Sequence, residues 1–259
     1  MPERPIKVYI SVDMEGIGGV LRPIQVQQGT LEYERACRWM EAEVNAYIRG
    51  AKAAGAEEVW VKDAHGSGAN MDWEAFRESA ILVSGRNRPA RFPGLDASFT
   101  ALFLVGYHAQ AGTVDAVLDH TWSSSDDTRF LFNGVEVGEI AVDAAIAGAF
   151  GVPVALVSGD DKTALEAQAL LKTLESVVVK TAVTREGAIC LPQTDVLNIA
   201  EEGAKRAVER TLRNEFSPYK PSLPVRFEKR SQGPWKMRLS KSSEGNEVRK
   251  VIQEVLGQG

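Results

Sequence analysis

The sequence predicts an α/β fold, with a mainly parallel central sheet flanked by helices and a smaller C-terminal α+β subdomain. Strand-like and helix-like segments alternate through the first two thirds of the chain, which is typical of an α/β domain. Several of the strand-like segments are almost wholly apolar, as expected of strands covered on both faces. The alternation then ends, and Pro218, Pro221 and Pro224 interrupt regular structure. We therefore predict an α/β domain over residues 1–190 and a C-terminal subdomain over residues 191–259, packed separately or as part of one unit.

For the first half of the chain, the sequence predicts mostly strands. A β-branched and aromatic strand over 7–12 is followed by a glycine-rich loop. A helix over 31–54 is indicated by apolar residues at every third or fourth position, and Gly55 ends it. Further strands are predicted at 58–63, 80–84, 100–107 and 114–123.

For the second half of the chain, the sequence predicts a hairpin followed by alternating helices and strands. Residues 130–137 form a hairpin, because Asn133 and Gly134 suit a type I′ turn. An alanine-rich helix over 139–150 precedes a strand over 152–158, and Asp160 or Asp161 caps the next helix. The remaining predicted elements are a strand over 176–183, a helix over 194–213 and a strand over 225–229.

Composition and charge exclude several classes of protein. The 259 residues are 44% hydrophobic and 25% charged, as in an ordinary globular protein. The 30 basic and 35 acidic residues give a net charge of −5, which lacks the basic excess of many nucleic-acid-binding proteins. No apolar run approaches membrane-spanning length, and the first residues are too short and too punctuated for a secretory signal. Cys37 and Cys190 lie in unrelated contexts. We therefore expect a cytoplasmic protein without a nucleic-acid or membrane partner.

The chain has three histidines, and two of them follow predicted strands. His65 and His108 each end a strand-like segment, and the first strand is followed by Asp13 and Glu15. In extended chain, residues i and i+2 share a face, so these two carboxylates can point together. If the strands are parallel, their carboxyl ends lie along one edge of the sheet, where ligands bind in open α/β folds.

Carboxylates and imidazoles meeting at one edge suit a divalent cation such as zinc. Glu139, at the start of a predicted helix, can complete the ligand set. One carboxylate can bridge two ions, so this inventory is sufficient for a dinuclear centre that activates water. His120 would then remain unligated and free to move protons.

Each of these residues also has a simpler interpretation. Asp13 and Glu15 fit a solvated turn, and each histidine fits a hydrogen-bonded or surface position. Glu139 suits a helix N-terminus by its charge alone. The glycine-rich loop lacks the third glycine of a dinucleotide fingerprint, and no Walker loop, HExxH or G-x-S-x-G motif occurs. The common placement of the residues is what favours a metal site.

Short motifs over most of residues 6–190 resemble those of the D-aminopeptidases of peptidase family M55. They keep the family's order and approximate spacing. The motifs are SVDMEGI at 11–17, VKDAH at 61–65, LVGYHA at 104–109, DH at 119–120, NG at 133–134, VGE at 137–139, VPV at 152–154 and SGDD at 158–161.

This resemblance implies a zinc aminopeptidase that releases the N-terminal residue, of D configuration, from short peptides. It implies two zinc ions per subunit and a homodecamer. The implied metal ligands are Asp13, Glu15, His65, His108 and Glu139, with Asp13 as the bridge. His120 matches the family's catalytic histidine, described as the nucleophile, although a general base or proton shuttle suits a di-metal centre better.

Two classes of alternative remain open at the level of the sequence. The same site can serve a metal-dependent amidase or esterase, or a peptidase for L-residues. A metal-stabilised peptide-binding assembly without catalysis is the alternative that is not an enzyme. Activity on paired D- and L-dipeptides separates the enzymes from one another, and substitution of His120 separates them from the binding protein.

Overall fold

The structure is a computed structural model, and it describes residues 5–76, 80–86, 90–123, 128–232 and 237–257. The strands within these ranges are β1 (Lys7–Val12), β2 (Glu58–Asp63), β3 (Ile81–Val83), β4 (Ala101–Val105), β5 (Arg129–Phe132), β6 (Val135–Val137), β7 (Val154–Asp160), β8 (Glu175–Thr184), β9 (Gly187–Cys190), β10 (Val225–Gln232) and β11 (Met237–Gly245). The helices are α1 (Leu31–Ala53), α2 (Glu139–Ala149), α3 (Asp161–Leu171), α4 (Gln193–Leu212) and α5 (Val248–Leu256).

A seven-stranded sheet forms the centre of the fold, in the order β3-β2-β1-β4-β7-β8-β9. All neighbouring strands are parallel except β8 and β9, which form an antiparallel pair at one edge. The predicted mainly parallel sheet flanked by helices is therefore confirmed. The chain runs outward from β1 to β3 in one direction and from β4 to β9 in the other, so the order reverses between β1 and β4.

Helices cover both faces of this sheet and bury two apolar cores. The first core lies against α1 and α4, and the second lies against α2, α3 and α5. The side chain of Thr30 caps α1 by accepting a hydrogen bond from the backbone N–H of Tyr33, and Asp160 caps α3 in the same way. The first turn of α2 has no side-chain cap among the described residues, and Oε1 of its Glu139 lies 3.5 Å from Nε2 of His108, at the edge of the sheet at which β1 and β4 end.

A second, antiparallel sheet in the order β11-β10-β5-β6 packs with α5. Its β5–β6 turn has positive φ angles at Asn133 (50°) and Gly134 (83°), as a type I′ turn requires. This sheet pairs β5, from the predicted first domain, with β10 from the C-terminal segment. In the same way α4 packs against α1. The division at residue 190 stays a prediction.

The predicted strand over 114–123 is wrong. Turns occupy this segment, with only an isolated bridge between Thr121 and Ser123 in the described residues. Asp115, Leu118 and Trp122 have φ angles of 55°, 51° and 69°, which break an extended chain. The structure also contains β9, β11 and α5, which the sequence analysis does not predict.

No helix in the described ranges is both long enough and apolar enough to cross a membrane.

Candidate metal centre

Three neighbouring parallel strands end at one edge of the large sheet, and the loops after them carry the predicted side chains. Asp13 and Glu15 follow β1, His65 follows β2, and His108 follows β4. The strand order reverses between β1 and β4, and such a reversal opens a crevice where ligands bind. Glu139 reaches the same place from the first turn of α2, where the helix dipole favours a carboxylate. The structure thus brings all five residues together.

Backbone hydrogen bonds hold the loops after β1 and β4 against each other. The N–H of Asp13 donates to the carbonyl of Val105 (2.8 Å), and the N–H of Gly16 donates to that of Gly106 (2.8 Å). A β-carbon at position 16 would lie 1.9 Å from the carbonyl oxygen of Tyr107. Only glycine permits this approach, so the sequence after Glu15 fixes how closely the two loops meet.

The carboxylate of Asp13 lies between two histidines. Its Oδ1 is 3.1 Å from Nδ1 of His65, and its Oδ2 is 3.6 Å from Nε2 of His108. Each histidine faces a second carboxylate as well, since Nδ1 of His65 is 3.2 Å from Glu15 Oε2 and Nε2 of His108 is 3.5 Å from Glu139 Oε1. Asp13 is therefore placed to be shared by two cation positions.

Backbone carbonyls fix which nitrogen of each ring faces these carboxylates. Nε2 of His65 lies 2.9 Å from the carbonyl of Val26, and Nδ1 of His108 lies 3.0 Å from that of Ala109. A carbonyl only accepts hydrogen bonds, so these nitrogens carry the protons. In the neutral rings the other nitrogens therefore direct lone pairs at carboxylate oxygens. Such an arrangement is repulsive unless a cation lies between them, and it matches the carbonyl-anchored histidine of metal sites.

Two buried polar atoms in this cluster have no hydrogen-bond partner among the described residues. They are Nε2 of His108 and Oε2 of Glu15, in residues exposed by 2% and 4% respectively. Buried polar atoms normally have hydrogen-bond partners, and a site for an ion is one recognised reason for an exception. Imidazole nitrogen and carboxylate oxygen are ligands that zinc accepts. The residues present therefore fit a divalent cation of this kind.

The buried carboxylates of the cluster favour a positive charge between them. Burial by itself would raise the pKa of Asp13, but the hydrogen bond and charge of His65 hold it well below the ordinary value. His108 likewise lowers the pKa of Glu139 to about 2 against the effect of burial. Burial opposes charging of the histidines, yet the carboxylates raise the pKa of His108 to about 10 and that of His65 well above its usual value. A bound cation can supply this charge in place of the protons.

His120 lies beside the cluster. Its ring stacks on that of His108, with the centroids 3.9 Å apart and the planes 16° from parallel. Nδ1 donates to the carbonyl of Leu118 (2.9 Å), so Nε2 of the neutral ring is free to accept a proton. His120 also offers an atom within 4.8 Å of ligand atoms on His108 and Glu139. Its position suits either proton transfer or ligation.

The loop that carries His120 is held in a strained conformation. Leu118 and Trp122, two residues to either side, both have positive φ angles, which cost non-glycine residues free energy. Oδ2 of Asp160 accepts a hydrogen bond from the N–H of Val117 (2.8 Å), and the carbonyl of Arg185 accepts one from Leu118 (2.9 Å). Contacts with distant parts of the chain therefore determine where the imidazole lies.

A buried lysine organises the loop that follows Asp13. Nζ of Lys180, from β8, donates to the carbonyls of Glu15 (2.7 Å), Ile17 (2.9 Å) and Val20 (2.5 Å). These bonds satisfy backbone groups that water does not reach. Lys180 was not predicted from the sequence, although a lysine within an otherwise largely apolar strand is a usable signal.

Glu43, from α1, is hydrogen-bonded to the same loop. Its Oε1 accepts a hydrogen bond from the N–H of Gly18 (2.6 Å), while Oε2 has no hydrogen-bond partner in the part of the chain that the structure describes. Burial raises the pKa of Glu43 to about 7, although the bond to Gly18 and the charge of Lys180 both lower it. Burial raises the pKa of Tyr47 well above its usual value, and the nearby charge of Glu43 raises it further. Glu43 is thus more easily protonated in the folded chain than in the unfolded one.

We expect Glu43→Gln to change how stability depends on pH. Stabilisation by the bound proton is complete below the unfolded pKa of Glu43 and is lost as the pH rises through about 7. Wild-type protein should therefore lose up to about 3 kcal/mol of unfolding free energy relative to the glutamine variant between about pH 4.5 and pH 8. Urea unfolding at several pH values measures this difference.

The exposed Glu202, on α4, provides the control for this comparison. Glu202→Gln should differ from wild type by less than about 0.5 kcal/mol across the same range. Equal pH dependence in wild type and Glu43→Gln would contradict the protonation of Glu43.

A second set of residues near the cluster was not predicted from the sequence. Arg91, Asp143 and Tyr107 lie behind Glu139 and are hydrogen-bonded to one another or to it. Asp143 carries a signal, because Asp143 and Glu139 are the two charged residues of α2 and stand four positions apart, on one face of the helix. Arg91 carries none, because it lies in an irregular loop.

The chain is similar in sequence and in structure to D-aminopeptidases. The sequence model of the family Peptidase_M55, described as D-aminopeptidase, matches residues 6–248. A D-aminopeptidase from Bacillus subtilis (strain 168) is 33% identical over 233 residues, which are 89% of this chain and 84% of that protein. The solved structure of the Zn-dependent D-aminopeptidase DppA from Bacillus subtilis, a self-compartmentalizing protease, superposes with a TM-score of 0.89. It is 28% identical, and the match covers 98% of this chain and 96% of that one.

Proposed function

Since the chain belongs to the M55 family of D-aminopeptidases, we propose that it is a zinc-dependent aminopeptidase that removes the N-terminal residue, of D configuration, from short peptides. The observation that carries this proposal is the meeting of carboxylates and imidazoles from the ends of three strands and from one helix. Two of their buried ligand atoms have no hydrogen bond within the described ranges. A peptide-binding protein has no need of such a cluster.

In this proposal five residues hold two zinc ions per subunit. Asp13, Glu15 and His65 hold one ion, and Asp13, His108 and Glu139 hold the other. The support is that Asp13 directs a different oxygen at each histidine. Zinc, when bound, polarises the scissile carbonyl and lowers the pKa of water.

His120 moves the proton in this proposal. The carbonyl of Leu118 accepts the N–H of Nδ1, which leaves Nε2 to take a proton at the start of hydrolysis and return it to the leaving amine. Stacking on His108 keeps the ring beside the metal ligands without occupying their oxygens. We therefore assign His120 as general base and acid, and a nucleophilic role as the alternative.

We also propose that the enzyme is a homo-oligomer, specifically a decamer, that acts in the cytoplasm. The relative with a solved structure is described as self-compartmentalizing, which requires several subunits. Cys190 is exposed and unpaired, and a reducing compartment keeps such a thiol reduced. Light scattering should give a mass ten times the 28.2 kDa of one chain. A monomer in solution would contradict the assembly.

The direct test of this function compares D-Ala-D-Ala, L-Ala-L-Ala and a simple ester as substrates. We expect turnover of the D-dipeptide, loss of that turnover on chelation and recovery when zinc is returned. Turnover of the L-dipeptide alone would contradict the stereochemical part of the proposal, and turnover of the ester alone would favour an esterase. Full activity in metal-free protein would contradict the metal centre.

A further inference from the structure

Arg91 joins the candidate ligand Glu139 to a buried acidic residue. Its Nη2 donates to Oε2 of Glu139 (3.1 Å) and to Oδ2 of Asp143 (2.9 Å), and its Nε donates to Oδ1 of Asp143 (2.8 Å). The arginine side chain is 11% exposed, and that of Asp143 is fully buried. Paired donors on a planar guanidinium fix both position and direction, which a lysine cannot do.

Asp143 holds the Arg91 guanidinium in place, because its two carboxylate oxygens accept hydrogen bonds from Arg91. Its Oδ2 also accepts a bond from the hydroxyl of Tyr107 (2.6 Å), so both carboxylate oxygens are engaged. The Tyr107 hydroxyl has donated its proton, so the Ser11 hydroxyl, 2.9 Å away, donates to it. The result is a directed chain of bonds from β1, through the loop after β4, to α2, with Arg91 at its end.

Arg91 leaves Glu139 with a single oxygen for a cation. Oε2 accepts from Arg91, whereas Oε1 lies 3.5 Å from Nε2 of His108 and accepts from the N–H of Trp122 (2.9 Å). A free carboxylate can bind a cation through either oxygen or through both. Each oxygen of Glu139 thus accepts one hydrogen bond, and the bond from Arg91 to Oε2 fixes the carboxylate with Oε1 toward the position beside His108.

Arg91 also contacts the loop that carries His120. Its guanidinium carbon lies 4.6 Å from the centre of the Trp122 ring, in a cation–π contact. Trp122 has a positive φ angle, and its N–H is the one that reaches Glu139. Arg91 therefore binds Oε2 of Glu139 directly. Through its contact with the Trp122 ring, it also supports the backbone N–H that donates to Oε1.

We propose that Arg91 is a positioning residue that makes Glu139 a one-oxygen ligand and so sets the affinity of the cation position beside His108. The position at Asp13, Glu15 and His65 has no contact with Arg91 among the described hydrogen bonds and ion pairs. This inference rests on the proposed function, because it requires two cation positions.

The test titrates metal-free protein with zinc in competition with a coloured chelator, and with Co²⁺ while its visible absorption is recorded. Arg91→Met should weaken one of two equivalents about 10- to 100-fold, leave the other unchanged, and alter the Co²⁺ spectrum of one equivalent. Arg91→Lys keeps the charge without the paired donors and should give an intermediate loss.

Arg210 provides a matched control. Its guanidinium lies 4.6 Å from the ring of Phe216 and pairs with Glu175 and Glu215, far from the cluster in the fold. Arg210→Met should leave both zinc affinities unchanged. The thermal unfolding of the two methionine variants without metal shows whether either has lost its fold.

Each outcome of the titration has a separate meaning. Two equivalents of unchanged affinity and spectrum in Arg91→Met would overturn the positioning role and leave the proposed function intact. Equal weakening of both equivalents would also overturn it, since the effect would then be general. Wild-type protein that binds no zinc would contradict the proposed function itself.

Discussion

His120→Ala should lower peptide hydrolysis about 10²- to 10⁴-fold while leaving the zinc content at two per chain. The expected loss is that of acid–base assistance, because Nδ1 of His120 donates to the carbonyl of Leu118 and Nε2 can accept a proton beside the cluster. In the proposed centre, Asp13, His108 and Glu139 would hold the neighbouring ion without His120. Steady-state kinetics and metal analysis of the same preparation measure both quantities.

His120→Asn separates proton transfer from support of the loop. The asparagine amide can still donate to the carbonyl of Leu118, as Nδ1 does, but it cannot accept a proton at neutral pH. We expect the same loss of activity as in the alanine variant. Nearly normal activity in His120→Asn would show that the histidine serves the loop, and loss of zinc in either variant would make it a ligand.

Asp13→Asn should remove both zinc ions and reduce hydrolysis about 10³-fold or more. Among the described residues, Asp13 is the carboxylate that lies within 4 Å of both His65 and His108. Losing the metals removes several kcal/mol of transition-state stabilisation, at about 1.36 kcal/mol for each tenfold in rate. Zinc content after dialysis and turnover of D-Ala-D-Ala are the measurements.

Two further variants serve as comparisons for Asp13→Asn: one should affect a single zinc ion, and the other should affect neither. Glu15→Gln alters a carboxylate that, among the described residues, forms an ion pair with His65 and none with His108, so one zinc ion should bind more weakly than the other. Asp195→Asn alters an exposed residue in the first turn of α4 and should change neither zinc content nor rate. Retention of two tightly bound ions by Asp13→Asn would show that Asp13 is not shared between them.

The sequence predicted the large sheet well because its strands are local patterns. Predicted and observed bounds are identical for β1 and β2, and they differ by one residue at one end of α1. The segment 114–123 failed for the opposite reason. Its conformation depends on the distant Asp160 and Arg185, which bind its backbone and hold left-handed residues that local propensity disfavours.

The C-terminal part was harder to predict for two different reasons. The strand β11 (MRLSKSSEG) carries no apolar alternation, and its pairing with β10 defines it. The helix α5 does carry a signal, since Val248, Val251, Ile252 and Val255 follow the helical spacing i, i+3, i+4 and i+7. A closer use of periodicity would have identified it.

In the candidate site, the residues with ligand chemistry could be predicted from the sequence, and the residues that position them could not. Residues that end strands, such as His65 and His108, could be grouped because parallel strands share an edge. The residues that hold them in place could not, because Arg91, Lys180 and Glu43 act through contacts between segments far apart in the chain. Local sequence shows which side chains have the chemistry for the site, and packing determines which ones position them.

The most direct test of the shared centre is anomalous diffraction from crystals of zinc-loaded protein, recorded above and below the zinc absorption edge. We predict two anomalous peaks per chain, one between Asp13, Glu15 and His65 and one between Asp13, His108 and Glu139. The absence of zinc from this edge of the sheet, or its binding only at other residues, would contradict the account.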